Sequence, residues 1–350
     1  MKAAALREAI RALPKVELHC HIEGTMQPAT VADLATRNGI ALPTSDLNDL
    51  YTYENLTGFL EVFWLVQSVL VTPDDWERLA YESLVDGAAH GLAHREAFFT
   101  PARHLAEGQD LGGIVAALDR GLSQAEAETG ATCTLILDFD RAYGPAAALE
   151  QADALHVLRR AAAPGTDRVI GVGMDSTELG IDPATFAPAY ALASKAGLRK
   201  TAHQGENSAA SAIATAVDVL GCERIDHGIS IFGDPELVAR FAAERIPLTV
   251  CPNANVRINP DVCASLADHV YPRMRVAGLL ATLNTDDPGL TDLDLTQEYA
   301  NVASAFGYGW DDLVAIALDG VESSWLDPDD RAALASRITN AALNLRPEGA

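Results

Sequence analysis

The sequence predicts an α/β protein of the (β/α)8 (TIM) barrel class, with a helical insertion after strand 1 and extra C-terminal helices. Three observations predict it. Runs rich in apolar and β-branched residues alternate with helical patterns along most of the chain, and eight such strand-like runs can be counted. Strands alternating with helices imply a parallel sheet, and eight units is the count of the closed barrel. The polar residues suited to chemistry fall near the C-terminal ends of these runs, where such barrels hold their ligands. At 350 residues the chain could hold two average domains, but barrels of this kind often run as long as one, so a single domain over 1–350 is expected.

Residues 1–14 carry a short helical pattern ending at Pro14. The first strand follows as Val16-Glu17-Leu18-His19-Cys20-His21-Ile22-Glu23-Gly24. Every second side chain of a strand points the same way, so His19 and His21 share a face there. A helical excursion at about 25–93 contains amphipathic segments at 28–38, 55–70 and 73–90, with Pro28, Pro43 and Pro73 at helix starts and turns. It is expected to lie over the mouth of the fold. Strands are then expected at 95–100, 133–140, 168–175, 199–206, 224–229, 247–252 and 279–286. Helices are expected between them at 111–129, 146–163, 183–196, 208–220, 235–245 and 267–277. Segments 295–306, 310–325 and 328–343 read as closing helices. The chain has no internal repeat, and its one low-complexity stretch is the 346–350 tail.

A hydrophobic content of 49% fits a large buried core. No apolar run is long enough to span a bilayer, and the start has neither a long apolar centre nor a cleavage site, so no membrane partner and a cytoplasmic location are expected. The formal net charge of −24 repels phosphate backbones and no basic cluster interrupts it, which argues against a nucleic-acid polymer as partner. The same acidity suits solubility or salt adaptation. The five cysteines are odd in number and include no Cys-x-x-Cys, so buried thiols are expected rather than a disulfide framework or a cysteine-rich zinc module. The oligomeric state is left open.

The chemistry collects at strand ends. The first strand carries His19 and His21, the fifth His203 and Glu206, the sixth Asp226 and His227, and the eighth Asp286 and Asp287. Three histidines on strands one and five with one aspartate on strand eight can meet at a point, and such a set suits a zinc ion that keeps one position open for water. Each residue also has a bland reading. His203 could be a core histidine, Glu206 a helix-start carboxylate, His227 a turn residue before Gly228, and Asp286-Asp287 a loop cap before Pro288. All four being bland at the same end of one barrel is the less economical account.

From about residue 14 to about 345 the chain resembles the adenosine/adenine deaminase family. The strings that carry the resemblance are Glu17-Leu18-His19-Cys20-His21-Ile22-Glu23-Gly24, His203-Gln204-Gly205-Glu206, Arg224-Ile225-Asp226-His227-Gly228, Leu248-Thr249-Val250-Cys251-Pro252 and Asn284-Thr285-Asp286-Asp287-Pro288. The run Gly171-Val172-Gly173-Met174-Asp175-Ser176-Thr177-Glu178 looks more like the bacterial adenine deaminase branch. Two positions depart from it: Gln204 stands where Ala is usual, and Glu206-Asn207-Ser208-Ala209 stands where that branch tends to show Glu-Glu-Gly-Pro.

The resemblance implies one Zn2+ per chain held by His19, His21, His203 and Asp286, with Glu206, His227 and Asp287 as catalytic groups. It places Glu23, Gly173, Ser176 and Asp287 against the substrate. Water attacking C6 of a 6-aminopurine breaks ring aromaticity, so N1 must be protonated as the tetrahedral carbon forms, a role suited to a buried Glu206. His227 can accept a proton from the water or stabilise its ionised form. Asp287 can bond N7, an acceptor, if it carries a proton. The chain lacks Pro-Cys-x-x-Cys, so it is unlike the cytidine-type zinc deaminases. A second metal would usually bring a lysine on the fourth strand, and 169–175 has none.

The expected partner is a small aminopurine, base or nucleoside: adenosine or adenine going to inosine or hypoxanthine plus ammonia. A side chain at Ser176 leans toward a base, and the altered Asn207-Ser208 segment leans the other way. The alternatives are an N6-substituted adenine or aminodeoxyfutalosine-like nucleoside, a cyclic amide or ester hydrolase, and a non-catalytic purine-binding protein on the same barrel. The last would be expected to have lost a ligand or Glu206, and none is lost.

Overall fold

A computed structural model of the chain describes residues 3–347. Residues 1 and 2 of the expected N-terminal helix and 348–350 of the tail lie outside the described residues. Nine strand segments run in sequence order: β1 Lys15–Glu17, β2 Leu92–Phe99, β3 Thr132–Asp140, β4 Val169–Asp175, β5 Arg199–Lys200, β6 His203–Gln204, β7 Ile225–His227, β8 Leu248–Val250 and β9 Ala281–Leu283. Every ladder is parallel, and the segments form two arcs, β1 to β5 and β6 to β9, each ordered as in the sequence.

The arcs join at two seams. β5 and β6 are halves of the one strand expected at 199–206, interrupted at Thr201 and Ala202. Across that break the Thr201 N–H donates to the Val172 carbonyl at 3.0 Å and the Asp226 N–H to the Ala202 carbonyl at 2.9 Å. At the other seam Cys20 bridges Asp286 in parallel fashion; the Asp286 N–H donates to the His19 carbonyl at 3.1 Å and the His21 N–H to the Asp286 carbonyl at 2.9 Å. Eight strands therefore close into a (β/α)8 barrel, which leaves no free sheet edge.

The crossover helices surround it: Leu111–Thr129, Gly144–Arg160, Ala187–Lys195, Ala210–Thr215 continued by a π turn at Ala216–Leu220, Pro235–Glu244 and Tyr271–Val276. The insertion supplies Pro28–Asn38, Leu56–Ser68 and Pro73–Ala89, and the C-terminal helices are Leu295–Phe306, Trp310–Ser323 and Pro328–Leu345. No single helix among the described residues is long and apolar enough to cross a membrane.

Three elements differ from expectation. The first strand ends at Glu17 rather than running to 24, because the Leu18 N–H is taken by the Asn284 side chain at 2.8 Å instead of by a neighbouring strand; residues Glu23–Thr25 form a 3-10 turn. β2 begins at Leu92, three residues early: Gly91, with φ of 82°, ends the preceding helical segment and starts the strand at once. A helix at Pro252–Ile258, where a strand end was expected, follows β8 directly.

Phe98 of β2 packs against the rings of His19, His21 and His203, so the face of β2 that carries Phe98, Glu96 and His94 looks into the barrel. Deeper in, the fully buried Arg224 donates to Glu96, and its guanidinium lies 3.8 Å from the centre of the Trp325 ring. Burial alone would raise the Glu96 pKa, but Arg224 outweighs it and holds the carboxyl below the usual range. Removing one partner of a buried pair leaves an uncompensated charge. Arg224→Met is therefore expected to lower unfolding free energy by about 3–5 kcal/mol, read by urea denaturation; a loss under about 1 kcal/mol would show that the pair does not hold the barrel floor.

Candidate active site

At the C-terminal ends of the strands lies a cavity walled by His21, Asp175, Ser176, His203, Glu206, His227, Asp286 and Asp287. Its apolar side is supplied by Leu56, Phe59, Leu60 and Phe63 of the insertion and by Ile258. The insertion thus covers the mouth. Ser176 just past β4, His227 at the end of β7 and Asp286 three residues past β9 have φ of 71°, 64° and 67°, in the left-handed region that non-glycine residues avoid. Such backbone persists where surrounding structure enforces it and collects at functional sites. Here all three side chains meet one cavity.

The donor set is close-packed. His19 Nε2 lies 3.2 Å from Asp286 Oδ1, His21 Nε2 lies 3.5 Å from the same oxygen, and His21 Nε2 is 2.9 Å from His203 Nε2. One ligand atom from each of His19, His21, His203 and Asp286 fits within a 4.8 Å span. Zinc–nitrogen bonds of about 2.0–2.1 Å place tetrahedral ligand atoms about 3.3 Å apart, and the separations of 2.9, 3.2 and 3.5 Å bracket that value. His19 Nδ1 faces the Thr249 carbonyl at 3.1 Å, which puts a proton on Nδ1 and aims Nε2 at Asp286; burial would lower the His19 pKa, but Asp286 raises it, and with a cation bound Nε2 would be the ligating atom. Burial pushes the pKa of His21 down to about 4 and that of His203 well below its usual value, so both are neutral at pH 7, the form that ligates. Burial would lift Asp286, yet His19 and the other imidazoles hold it below the usual carboxylate range. The residues present fit a divalent cation.

Beside this set, the Glu206 side chain is 12% exposed, and its Oε2 lies 3.8 Å from His227 Nε2. Burial, then the negative charges of Asp286 and Glu178, push its pKa up to about 8, so it carries a proton at neutral pH. Asp287 is raised well above the carboxylate range by burial and by Asp286 beside it, and its Oδ1 has no hydrogen-bond partner. A Cβ on Gly24 would fall 1.8 Å from that oxygen, so only glycine leaves Asp287 its place. Ser176 lines the cavity, its hydroxyl beside the Asp140 carboxyl.

Glu23 and Gly173 are not on the cavity wall. Glu23 is fully buried behind it, accepts the Thr100 N–H at 2.8 Å, and is pushed up to about 7 by burial. Gly173 faces the barrel interior, where a Cβ would meet Asp138 Oδ1 at 2.3 Å.

Several contributors have no role assigned from the sequence, although Glu178 closes the Gly171–Glu178 run. Asp138 lies 4.0 Å from His21 Nδ1 and 3.9 Å from His203 Nδ1. The Glu178 carboxylate receives the N–H groups of Gly205, Glu206 and Asn207 at 2.7, 2.8 and 3.1 Å, together with the Gln204 amide and the Ser208 hydroxyl. Successive N–H groups of this kind form an anion nest, and Glu178 fills it from within the chain. Arg141 ties the same loop to β4 by donating to the carbonyls of Asp175, Ser176 and His203. The two departures noted in the sequence, Gln204 and Ser208, end on the same Glu178 oxygen, and that pairing was the available signal.

Residues 14–341 match the family model described as adenosine deaminase. The adenine deaminase of Streptomyces coelicolor is 40% identical over 326 residues, covering 92% of this chain and 93% of that protein. Among solved structures, the adenine deaminase from Arthrobacter aurescens is 36% identical with a TM-score of 0.88, covering 94% of this chain and 99% of that one. An amidohydrolase from Burkholderia ambifaria with bound Zn is 34% identical with a TM-score of 0.89, covering 98% and 95%.

For His203→Ala, metal analysis is expected to show a zinc affinity lower by at least the roughly 10–100-fold that loss of a mere supporting partner costs. A variant that keeps full zinc content would remove His203 from the donor set.

Proposed function

The chain belongs to the adenosine deaminase family, and from that premise we propose that it hydrolyses free adenine to hypoxanthine and ammonia with one zinc ion per chain. It is a hydrolytic deaminase of a 6-aminopurine. The observation that carries the mechanism is Glu206: a carboxyl whose pKa burial pushes up to about 8 faces the same cavity as a nitrogen-rich donor set. The choice of the free base draws on the relatives named adenine deaminase and on Ser176 lining the cavity. The choice of zinc draws on the donor spacing and on the zinc-bound relative.

In this reading the purine lies between the donor set and the apolar wall of Phe59 and Phe63. Held by His19, His21, His203 and Asp286, zinc supplies the Lewis acidity that makes water a nucleophile near neutral pH. Glu206 gives its proton to N1 as water adds at C6, so the ring nitrogen takes up the electron pair displaced from the C6–N1 double bond. Asp287, protonated at neutral pH, donates to N7 and orients the ring. The two protons of the water complete the exchange: one restores Glu206 as the C6–O bond forms, and the other, lost by the C6 hydroxyl as it becomes the carbonyl, goes to the amino group, which leaves C6 with its bonding pair as ammonia. The phenylalanines exclude bulk water, which strengthens each of these contacts.

A panel of 6-aminopurines followed by the ultraviolet change on deamination, with metal analysis, tests the assignment: turnover of adenine above adenosine is expected. Glu206→Gln keeps size and hydrogen bonding but cannot transfer a proton, so kcat is expected to fall by about 10²–10⁴ with zinc retained. Loss of zinc in that variant would make Glu206 a ligand. Ser176 already has glycine-like backbone, so Ser176→Gly is expected to fold without strain and to raise the adenosine-to-adenine activity ratio; an unchanged ratio would clear this position of any role in substrate size.

A further inference from the structure

His227 ends β7 and faces Glu206, and neither neighbour on its own strand determines which ring nitrogen bears its proton. The determining contacts come from the helix Pro252–Ile258 and the segment that follows it. The backbone N–H of Tyr271 donates to His269 Nδ1 at 3.0 Å. A backbone amide has one possible role, so His269 Nδ1 is an acceptor and the proton of the neutral ring sits on Nε2. His269 Nε2 lies 3.2 Å from Asn255 Oδ1, and therefore donates to it. That contact sets the orientation of the Asn255 amide: turned over, its NH2 would oppose the His269 N–H. The amide nitrogen then faces the site, 3.1 Å from His227 Nδ1 and 3.2 Å from Glu206 Oε1. Its two hydrogens are both used.

The consequence for the reacting groups is specific. His227 Nδ1 accepts, so the neutral ring carries its proton on Nε2, the nitrogen that faces Glu206. Glu206 Oε1 accepts as well, which leaves Oε2, 3.8 Å from His227 Nε2, as the oxygen to hold the transferable hydrogen, with Asn259 a second side-chain neighbour of the carboxyl. His269 is buried, with its pKa pushed down to about 4, so it stays neutral and keeps its two nitrogens in distinct roles across the working pH range.

We propose that Asn255, itself oriented by His269 and the Tyr271 backbone, is a positioning residue that fixes His227 as the Nε2–H tautomer and pins Glu206 by one oxygen. The role rests on the deaminase reading above. On this arrangement His227 enters the reaction as a hydrogen-bond donor toward the attacking water, and of the two roles open to it from sequence, stabilising the ionised water is the one its tautomer permits at the start.

The test uses the zinc-loaded full chain. Asn255→Asp keeps the shape but places an acceptor against His227 Nδ1, which demands the other tautomer; Asn255→Ala only removes the constraint. Imposing the wrong tautomer on a catalytic histidine by an amide–carboxylate exchange costs about 10⁴ in kcat in the serine-protease triad. Here Asn255→Asp is expected to lose about 10³–10⁴ in kcat with KM within about threefold, and Asn255→Ala about 10–10². A role in packing alone predicts the reverse order, because Asp fills the space and Ala does not, and that order would overturn the proposal.

Nitrogen-15 shifts of the imidazoles report the tautomer directly: Nε2–H at His227 is expected in the parent and Nδ1–H in Asn255→Asp. A parent with Nδ1–H also overturns the proposal. If Asn255→Asp does not fold, His269 decides. His269→Leu is expected to lose about 10–10² in kcat, and His269→Gln, whose amide can still donate to Asn255, to recover most of it; equal values for the two overturn the chain of contacts. A parent inactive on every aminopurine but with Nε2–H at His227 would sink the deaminase reading and leave the positioning chain standing.

Discussion

The barrel closes through the same residues that form its site. Asp286 exchanges backbone hydrogen bonds with His19 and His21 across the last seam, and the three side chains meet on the inner side of that seam. Closure and assembly of the donor set are thus one event. Any distortion that opened the seam would part Asp286 from the histidines, and any displacement of the histidines would leave the seam without its ladder. The buried floor of Arg224, Glu96 and Trp325 supports this from below: Arg224 also donates to the Leu18 carbonyl, one residue before His19.

A second consequence of burial is that adjacent carboxyls are driven apart. Burial would raise Asp286 too, but His19 beside it holds it ionised, while Asp287, one residue on, is driven to the protonated form by burial and by Asp286 itself. Glu206 is raised for the same reasons. Two like groups side by side cannot both keep their charge in a low-dielectric site, and a pair pushed in opposite directions divides the labour between ligand and donor. The purine ring, with acceptors at N1 and N7, needs donors at both places. In the proposed reading the protonated carboxyls of Glu206 and Asp287 supply them.

Much of the site was legible because strand periodicity is local. His19, His21, His203, Glu206, His227, Asp286 and Asp287 could be placed at strand ends by counting, and the order of strands along the chain is also their order around the barrel. Departures arose where a side chain from elsewhere replaced a local partner. The first strand stops at Glu17 because Asn284 takes the next N–H. The fifth breaks at Thr201 and Ala202, where bonds to β4 and β7 continue without a regular ladder. The family resemblance places Glu23 and Gly173 against the substrate; in the closed barrel Glu23 lies behind the wall, bonded to the Thr100 N–H, and Gly173 faces Asp138 in the interior.

By itself the sequence determined the strand and helix alternation, the residue types that reach the barrel mouth and the chemistry those types can support, since each follows from spacings of a few residues. The tertiary structure alone decided which proton sits on which atom. His19 takes its tautomer from Thr249, His227 from Asn255, and the Glu206 loop its shape from Glu178. These partners stand 230, 28 and 28 residues away. A hydrogen bond acts over about 3 Å, and distance in sequence says nothing of distance in space until the barrel has closed.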